Sequence, residues 1–327
     1  MGVRMKIHSG IDAKHLMRML GESLQKEKEQ WKSVFHKKNG DGHMDSLGQH
    51  RDEAISWILC LNTKFHFTPE TVALAVYLVD RFLLLVKVPS KYLRCVSICC
   101  YYIAAKTLEE DEVIPSTGDL VKGSDYECSV SEILRMEAVI LNKLSWNIKY
   151  VTAIDFLHII HSLLMCYYPQ LLNGLSNMTP SKHLAILTQK LLKCLSDHQI
   201  TTFRPVTLSL SVISHELEQI TPNWLSIVMM MQQMTEVDSG SLIRCREQTG
   251  RFLAENSMLQ TGYSFLRHGS SCSKALKRKA EEVEEDDDIY EGIKRLYNED
   301  FGIEMRMSCG SEGMYQDIDQ LSAVSAM

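Results

Sequence analysis

The chain has 327 residues, of which 45% are hydrophobic and 23% charged, and its formal net charge is −6. This length allows about two globular domains with cores of their own, and the acidic balance disfavours a nucleic-acid-binding protein that depends on phosphate contacts. Ten cysteines are scattered without a C-x-x-C spacing, which favours reduced thiols. No stretch predicts a signal peptide or a membrane span, so a membrane is not an expected partner. Because of the acidic balance, nucleic acid is not an expected partner either.

Helical periodicity dominates the sequence, and the alternation typical of β-strands is nearly absent. Residues 14–35 predict an amphipathic N-terminal helix, and the polar, glycine-bearing stretch 37–48 predicts a loop. The middle of the segment 90–108 is apolar on all sides, which predicts the centre of a helical bundle. The predicted helices of this first series are 51–64, 69–86, 90–108, a short one at 116–121, and 131–144 with Ser129 or Ser131 as its cap.

A second series of helices is predicted at 154–165, 180–195, 204–220, from 221 onward, and at 238–253. Thr179-Pro180 opens a helix as Thr68-Pro69 does, and the segments 90–108 and 204–220 both end in an acidic turn. Any all-α protein could give such a coincidence, but the matched order favours a duplication. The predicted division is an N-terminal helix and loop at 1–48, a first helical domain at 49–150 and a second at 151–255.

The composition changes after residue 255, and we predict a disordered tail at 256–327. A linker at 256–273 leads to a basic cluster, which is a candidate nuclear import signal with an importin as its partner. Seven acids then occupy residues 281–288, and apolar residues recur at helical spacing from 289 to 297. That last segment indicates either a helix that folds on a tail-binding protein or one that docks on the second domain. The basic cluster consists of Lys274, Lys277, Arg278 and Lys279.

Two charged residues stand in otherwise apolar helices. Arg51 heads the helix at 51–64, and Asp80 lies inside the helix at 69–86. A lone buried charge costs far more free energy than a paired one. We therefore predict that Arg51 and Asp80 form a structural ion pair inside the fold.

Motifs of catalysis are absent from the sequence. No phosphate-binding glycine loop and no nucleophile elbow occurs, so neither an enzymatic activity nor a cofactor is expected. His158 and His161 are three residues apart and could share a metal ion, but no Glu or Cys stands at a matching spacing. Packed histidines are the favoured interpretation, and no metal site is expected.

One stretch carries a family resemblance. Residues 51–82 read RDEAISWILCLNTKFHFTPETVALAVYLVDRF, with Arg51, Trp57 and Asp80-Arg81-Phe82 as landmarks. This stretch resembles the cyclin box position for position, and the strings AAKTLEED and ILRMEAVILNKLSW fit the same family. The tail string KRKAEEVEEDDDIYEGIKRLYNED resembles the cyclin G/I branch. The resemblance covers residues 20–255, and it is weaker in the second half.

The resemblance implies an all-α fold of two cyclin-type five-helix domains, with the N-terminal helix packed outside. It also implies a non-catalytic regulatory subunit that binds and activates a cyclin-dependent protein kinase. In cyclins, a Lys at the end of the third helix and a Glu in the fifth contact the kinase. These correspond here to Lys106 and Glu137, with Leu141 and Trp146 as neighbouring apolar contacts. The alternative is that Lys106 and Glu137 are ordinary solvated residues near helix ends.

Two departures from the family pattern suggest a non-mitotic cyclin. Many cell-cycle cyclins have Met-Arg-Ala-Ile-Leu where this chain has His50-Arg51-Asp52-Glu53-Ala54, which argues against docking of R-x-L peptides there. The first 50 residues also contain no R-x-x-L destruction signal. We expect the protein in the nucleus and the cytoplasm. A cyclin-fold scaffold that activates no kinase is the alternative function.

Overall fold

Eleven α-helices and no β-strand make up the part of the chain that the structure describes. The structure is a computed structural model and describes residues 13–31, 42–124, 126–175 and 177–263, without the side chains of 42–46 and 256–263. None of the described helices has both the length and the apolarity to cross a membrane. The helices are α1 Ala13–Gln30, α2 Gly42–Phe65, α3 Pro69–Leu85, α4 Leu93–Leu108, α5 Thr117–Ser124, α6 Val130–Lys143, α7 Ala153–Tyr167, α8 Pro180–Cys194, α9 Pro205–Ile220, α10 Trp224–Thr235 and α11 Ser239–Tyr263.

Helix α3 begins where the Thr-Pro signal predicts. Pro69 is its first residue, and the carboxylate of Glu109, from the end of α4, covers its N-terminus. Glu109 accepts hydrogen bonds from the backbone N–H of Thr68 (2.8 Å) and from the hydroxyls of Thr68 (2.8 Å) and Thr71 (2.5 Å). Burial alone would raise the pKa of Glu109, but these hydrogen bonds outweigh burial and lower the pKa.

Helix α6 begins with a capping box. The backbone N–H of Glu132 donates to the Ser129 hydroxyl (3.2 Å), and the N–H of Ser129 donates to the Glu132 carboxylate (2.6 Å). Of the two serines that the sequence offers, Ser129 is therefore the cap. This reciprocal arrangement satisfies two N–H groups that a helix start otherwise leaves unpaired.

Helix α4 is the centre of the first helical repeat, which we define as α2–α6. From Leu93 to Ala105 every residue except Arg94 is buried, and the helix packs against α2, α3 and α6. The predicted apolar centre of the bundle is therefore confirmed. Burial raises the pKa of the Cys99 and Cys100 thiols, which keeps them protonated and unreactive.

Helices α7–α11 form the second helical repeat in the same order. Helix α9 is its centre and packs against α7, α8, α10 and α11. A short 3₁₀ turn precedes each central helix, Ser90–Tyr92 before α4 and Ile200–Thr202 before α9. The predicted all-α fold of two five-helix series is thus confirmed.

Helix α1 packs against α7 and the start of α9, so it supports the second repeat. Its Glu27 is buried and accepts hydrogen bonds from the backbone N–H of Val206 (2.9 Å) and from Nε of Arg204 (3.0 Å). Because Val206 is the second residue of α9, Glu27 satisfies an N–H that the helix itself leaves unpaired. Burial raises the pKa of Glu27, against the opposing effect of Val206 and Arg204.

Arg51 and its neighbours join the two repeats. Nε and one terminal nitrogen of Arg51 donate to the two carboxylate oxygens of Asp80 (2.9 and 2.8 Å). The other terminal nitrogen donates to the backbone carbonyl of Leu195, at the end of α8 (2.8 Å). The Arg51 side chain is fully buried. One guanidinium therefore holds α2, α3 and α8 together.

Helix α10 begins at Trp224 and not at the predicted Thr221-Pro222, and α5 runs to Ser124 instead of 121. The largest differences between observed and predicted helix boundaries are at three other places. Helix α2 already begins at Gly42, within the predicted loop 37–48. Gly48 lies inside this helix, where the His198 ring packs so closely that a Cβ would be 2.6 Å from it. Helix α1 ends at Gln30 instead of residue 35. Helix α11 continues to Tyr263, into the predicted linker that starts at 256. The rest of the tail, including the basic cluster and residues 289–297, lies outside the described residues.

Candidate functional site

Lys106 and Glu137 lie next to each other on the surface of the first repeat. Lys106 is in the last turn of α4, Glu137 is in the middle of α6, and Nζ of Lys106 donates to Oε1 of Glu137. The same Nζ lies 4.5 Å from the ring centroid of Tyr102, one turn earlier on α4. The two side chains are 37% and 12% exposed, so the ion pair lies at the edge of the surface. Cation–π contact and ion pairing both hold the ammonium in place.

Trp146 lies in the turn directly after α6. Trp146 is 67% exposed, which is unusual for a tryptophan. Ser145 and Trp146 both have left-handed backbone angles, with φ of 52° and 59°. Such a conformation costs free energy in residues other than glycine, and it is enriched where function requires a particular side-chain position. The backbone N–H of Trp146 donates to the carbonyl of Leu141 (2.9 Å), which holds the turn.

The outward side of α6 carries further apolar residues. Val130 is 41% exposed and lies two turns before Glu137, and Leu134 is 49% exposed and lies one turn before it. Leu141, which the resemblance implies as an apolar contact, is only 8% exposed, so most of its side chain serves the core. We call the surface formed by Lys106, Leu134, Glu137 and Trp146 the α4–α6 face. Leu134 was missed in the sequence, although its spacing of three before Glu137 places it on the same side of the helix.

The two histidines considered for a metal have other contacts. Nε2 of His161 is 3.0 Å from Nδ1 of His183 in the core of the second repeat, while Nδ1 of His158 lies 3.4 Å from Glu70. Burial, with the nearby charges of His183 and His158, lowers the pKa of His161 to about 4. His161 is therefore neutral at pH 7 and packs with a second histidine.

A cluster that the sequence did not reveal could offer ligands to a metal ion. Donor atoms of Asp52, Asp197 and His198 lie within 4.8 Å of one another. Nδ1 of His198 already bonds Asp52 (2.6 Å), and the buried guanidinium of Arg51 donates to the other oxygen of Asp52 (3.2 Å). A fixed positive charge beside the carboxylate opposes a second cation, so hydrogen bonds between the two repeats explain the cluster best.

Comparison with known proteins agrees with this arrangement. Residues 21–149 match the family model "Cyclin, N-terminal domain". Human Cyclin-I2 is 37% identical over 210 residues, which cover 64% of this chain and 56% of Cyclin-I2. Cyclin-G1 of Pongo abelii is 33% identical over 208 residues, covering 63% of this chain and 68% of Cyclin-G1. The chain belongs to the cyclin family. Both relatives support the G/I branch that the tail string indicates, and the match to Cyclin-I2 spans little more than half of that protein.

A solved structure extends the likeness to the second repeat. A viral cyclin from herpesvirus saimiri aligns with a TM-score of 0.54 at 16% identity, covering 74% of this chain and 96% of the viral protein. At this identity the match concerns the fold alone. It agrees with two cyclin-type repeats, since the aligned share of this chain exceeds the region that matches the N-terminal family model. Members of the cyclin family are non-enzymatic regulators.

Proposed function

We propose that this protein is the regulatory subunit of a cyclin-dependent protein kinase, that it binds the kinase through the α4–α6 face, and that binding activates the kinase. The observation that carries the proposal is Trp146, a largely exposed aromatic residue with a left-handed backbone, which directly follows α6, the helix whose Glu137 pairs with Lys106. Aromatic anchors next to charged groups are typical of the energetic centre of protein interfaces. Membership of the cyclin family supports this class of partner.

The mechanism follows from what a protein kinase requires. Its αC helix must be held inward so that the αC glutamate pairs with the catalytic lysine. A rigid helical surface that binds the inward state more tightly shifts the kinase toward that state by the difference in affinity. In this protein, Lys106 and Glu137 would supply charge-assisted hydrogen bonds, while Trp146 and Leu134 would supply apolar contacts. Leu141 would support Trp146 from beneath through the hydrogen bond between their backbones.

The test is co-precipitation of the purified full-length chain with a panel of cyclin-dependent kinases, followed by a kinase assay. We expect at least one kinase to bind, and Trp146→Ala to weaken its binding tenfold or more, as for an interface hot spot. Ile243→Ala is the matched control, because Ile243 is a 57% exposed aliphatic residue of the second repeat. Equal losses in the two variants, or binding by no kinase, would contradict the proposed face.

A scaffold that binds a kinase without activating it is the second candidate. The observation in its favour is the edge of α2, where Ala54 is buried, Glu53 is exposed and Asp52 is engaged by His198. At these positions many cell-cycle cyclins have apolar residues that form a groove for substrate peptides. Here two of the three residues, Asp52 and Glu53, are acidic. The kinase assay separates the two functions, since a kinase that co-precipitates but phosphorylates its peptide no faster would favour the scaffold.

We also propose that the protein enters the nucleus through its basic cluster. Lys274, Lys277, Arg278 and Lys279 lie outside the described residues, and their density is what supports the proposal. Residues 270–300 fused to an inert fluorescent protein too large for passive diffusion should accumulate in the nucleus. Replacing Lys277, Arg278 and Lys279 by Ala should abolish that accumulation. A fusion that remains cytoplasmic in both forms would remove the import function from the cluster.

A further inference from the structure

Arg81 is the member of the Asp80-Arg81-Phe82 string whose role the fold does not explain. Asp80 binds Arg51, and Phe82 is fully buried in the core of the first repeat. The Nε atom of Arg81, in contrast, is buried and has no hydrogen-bond partner among the described residues. Its guanidinium carbon lies 5.9 Å from the ring centroid of Tyr150, which holds one side of the group. Buried N–H donors rarely lack an acceptor in native proteins.

The Arg81 side chain lines a cavity between the two repeats. The cavity has a volume of about 50 Å³. Tyr77 and Asp80 of α3 form one wall together with Arg81, while Phe203 and Leu208 from the second repeat form the opposite wall. A volume of this size holds a few water molecules or one chemical group of about three to four heavy atoms. It is too small for an aromatic ring.

The other polar groups around the cavity already have partners. Asp80 receives two hydrogen bonds from Arg51, at 2.9 and 2.8 Å. The Tyr77 hydroxyl donates to the carbonyl of Gln30 (3.0 Å), and burial raises the pKa of Tyr77, so this phenol stays neutral. The Thr201 hydroxyl donates to the carbonyl of His198 (3.1 Å). Arg81 is therefore the charged donor that remains available to a ligand on this wall, among the described residues.

We propose that this cavity is a binding site for a carboxylate, with Arg81 as the group that recognises it. The planar guanidinium offers parallel N–H donors at the spacing of two carboxylate oxygens. The negative charge of the ligand would also balance the positive charge of Arg81. Among the described residues Arg81 has no carboxylate partner, because the neighbouring Asp80 is already paired with Arg51. The cavity admits only the head of the ligand, so the carboxylate belongs either to a short free acid or to an Asp or Glu side chain of a bound protein segment. This site is independent of the α4–α6 face.

The probe is sodium acetate at constant ionic strength, with acetamide as the neutral isostere. The readout is the side-chain Nε–Hε resonance of Arg81 in ¹H–¹⁵N correlation spectra of the full chain, identified by its loss in Arg81→Lys. Acetate should shift this resonance saturably in the millimolar range, which is the order of magnitude for one or two charge-assisted hydrogen bonds. Acetamide should not shift it. The backbone amides of Tyr77 and Phe203, on opposite walls, should move with the same acetate dependence.

Variants and a peptide arm distinguish the outcomes. In Arg81→Gln, acetate should no longer shift the amides of Tyr77 and Phe203, whereas Arg94→Gln should keep the shifts, because Arg94 is an exposed arginine elsewhere that lies against Trp57. A blocked Gly-Glu-Gly peptide is then compared with Gly-Gln-Gly. Shifts with the Glu peptide support a protein side chain as ligand, and shifts with acetate alone support a free acid. Shifts that do not saturate, that acetamide reproduces, or that survive Arg81→Gln would overturn the proposal.

Discussion

An ion pair joins the central helix to the last helix in each repeat, and the two pairs have opposite polarity. Lys106 is the fourteenth residue of α4 and Glu218 the fourteenth of α9, while Glu137 and Arg246 are the eighth residues of α6 and α11. Lys106 pairs with Glu137, and Arg246 pairs with Glu218. In the first repeat the cation is on the central helix, and in the second repeat it is on the last helix.

The surroundings of the two pairs match as well. Lys106 lies over the ring of Tyr102 (4.5 Å to its centroid), and Arg246 lies over the ring of Trp224 (4.4 Å). A partner whose charges complement the first pair would meet like charges at the second, which is unfavourable. The fold thus has two equivalent ion-pair positions whose charges are arranged in opposite order.

The two repeats also differ at one equivalent position of their second helices. Asp80 is the twelfth residue of α3, and the twelfth residue of α8 is Leu191, which is fully buried. The first repeat thus places an ion pair where the second repeat has an aliphatic side chain. A paired buried charge stabilises only while both partners are present, whereas an aliphatic residue has no such dependence.

Removing one partner of that ion pair is the largest expected effect. Asp80→Ala leaves the fully buried Arg51 guanidinium without its bidentate acceptor, which should lower the free energy of unfolding by about 3–5 kcal/mol. Urea denaturation of the purified chain measures this loss. Glu110→Ala removes an exposed carboxylate of the first repeat and should change the free energy by less than about 0.5 kcal/mol. Wild-type stability of Asp80→Ala would show that the pair does not stabilise the fold.

Removing each surface ion pair in turn tests the comparison between the two repeats. The double variant Lys106→Ala with Glu137→Ala should weaken kinase binding by about two decades, the lower end for two charge-assisted bonds, because the two groups already satisfy each other in the free protein. The matched control, Glu218→Ala with Arg246→Ala, removes the equivalent pair of the second repeat.

The control should bind the kinase like the wild type, and affinity measured by biolayer interferometry on both double variants decides the point. Both pairs lie near the surface, so neither double variant should shift the thermal transition by more than a few degrees. If removing the second-repeat pair reduced kinase affinity as much as removing the first-repeat pair, the assignment of the α4–α6 face would be wrong.

The amphipathic helices and the Arg51–Asp80 ion pair could be predicted from the sequence for a physical reason. Apolar spacing reports which side of a helix is buried, and a charge inside an apolar helix requires a partner. The Glu27–Val206 contact could not be predicted, since nothing local to Glu27 marks it as the cap of a helix 179 residues away. Gly48 misled the prediction because glycine indicates a loop by its backbone freedom, whereas here its missing side chain makes room for His198.

Parts of the site show the same limit. The resemblance of the strings around Lys106 and Glu137 to cyclins identified two residues that the fold brings together. Trp146 lies on the surface with a left-handed backbone that no pattern of residue types predicts. The contact between His161 and His183 joins two helices and needs the packed repeat to be seen. Local sequence thus predicts elements better than it predicts contacts between them.

Acid should weaken the second repeat through His161. Its pKa is lowered from 6.5 to about 4 by burial and by nearby His183 and His158, with Glu216 and Lys190 as further charged groups facing the pair. The unfolded chain takes up the proton more readily, so stability is present above pH 6.5 and is lost as the pH falls toward 4. From pH 7 to 5 the loss should be about 2 kcal/mol.

Urea denaturation at the two pH values measures this loss. His161→Phe should reduce the difference between pH 7 and pH 5, and the remainder belongs partly to His183 and His215, whose pKa values burial also lowers. His66→Ala, which changes an exposed histidine of the first repeat, should leave the difference unchanged. An unchanged pH dependence in His161→Phe would assign the acid sensitivity to other groups.

The smallest expected effect concerns how each repeat starts its last helix. In the first repeat the Ser129 hydroxyl accepts from the N–H of Glu132 (3.2 Å), and in the second repeat a carboxylate oxygen of Asp238 accepts from the N–H of Ser241 (2.8 Å). Ser129→Ala should therefore cost about 1 kcal/mol of unfolding free energy, the usual value of a helix cap. Ser131→Ala is the control, since this exposed neighbour bonds only the Ser129 hydroxyl (3.0 Å) and no backbone N–H. Thermal melts of both variants give the comparison: equal losses would mean that the two hydroxyls share the role of the cap, whereas a loss confined to Ser129→Ala would show that the N–H group it satisfies is what starts α6.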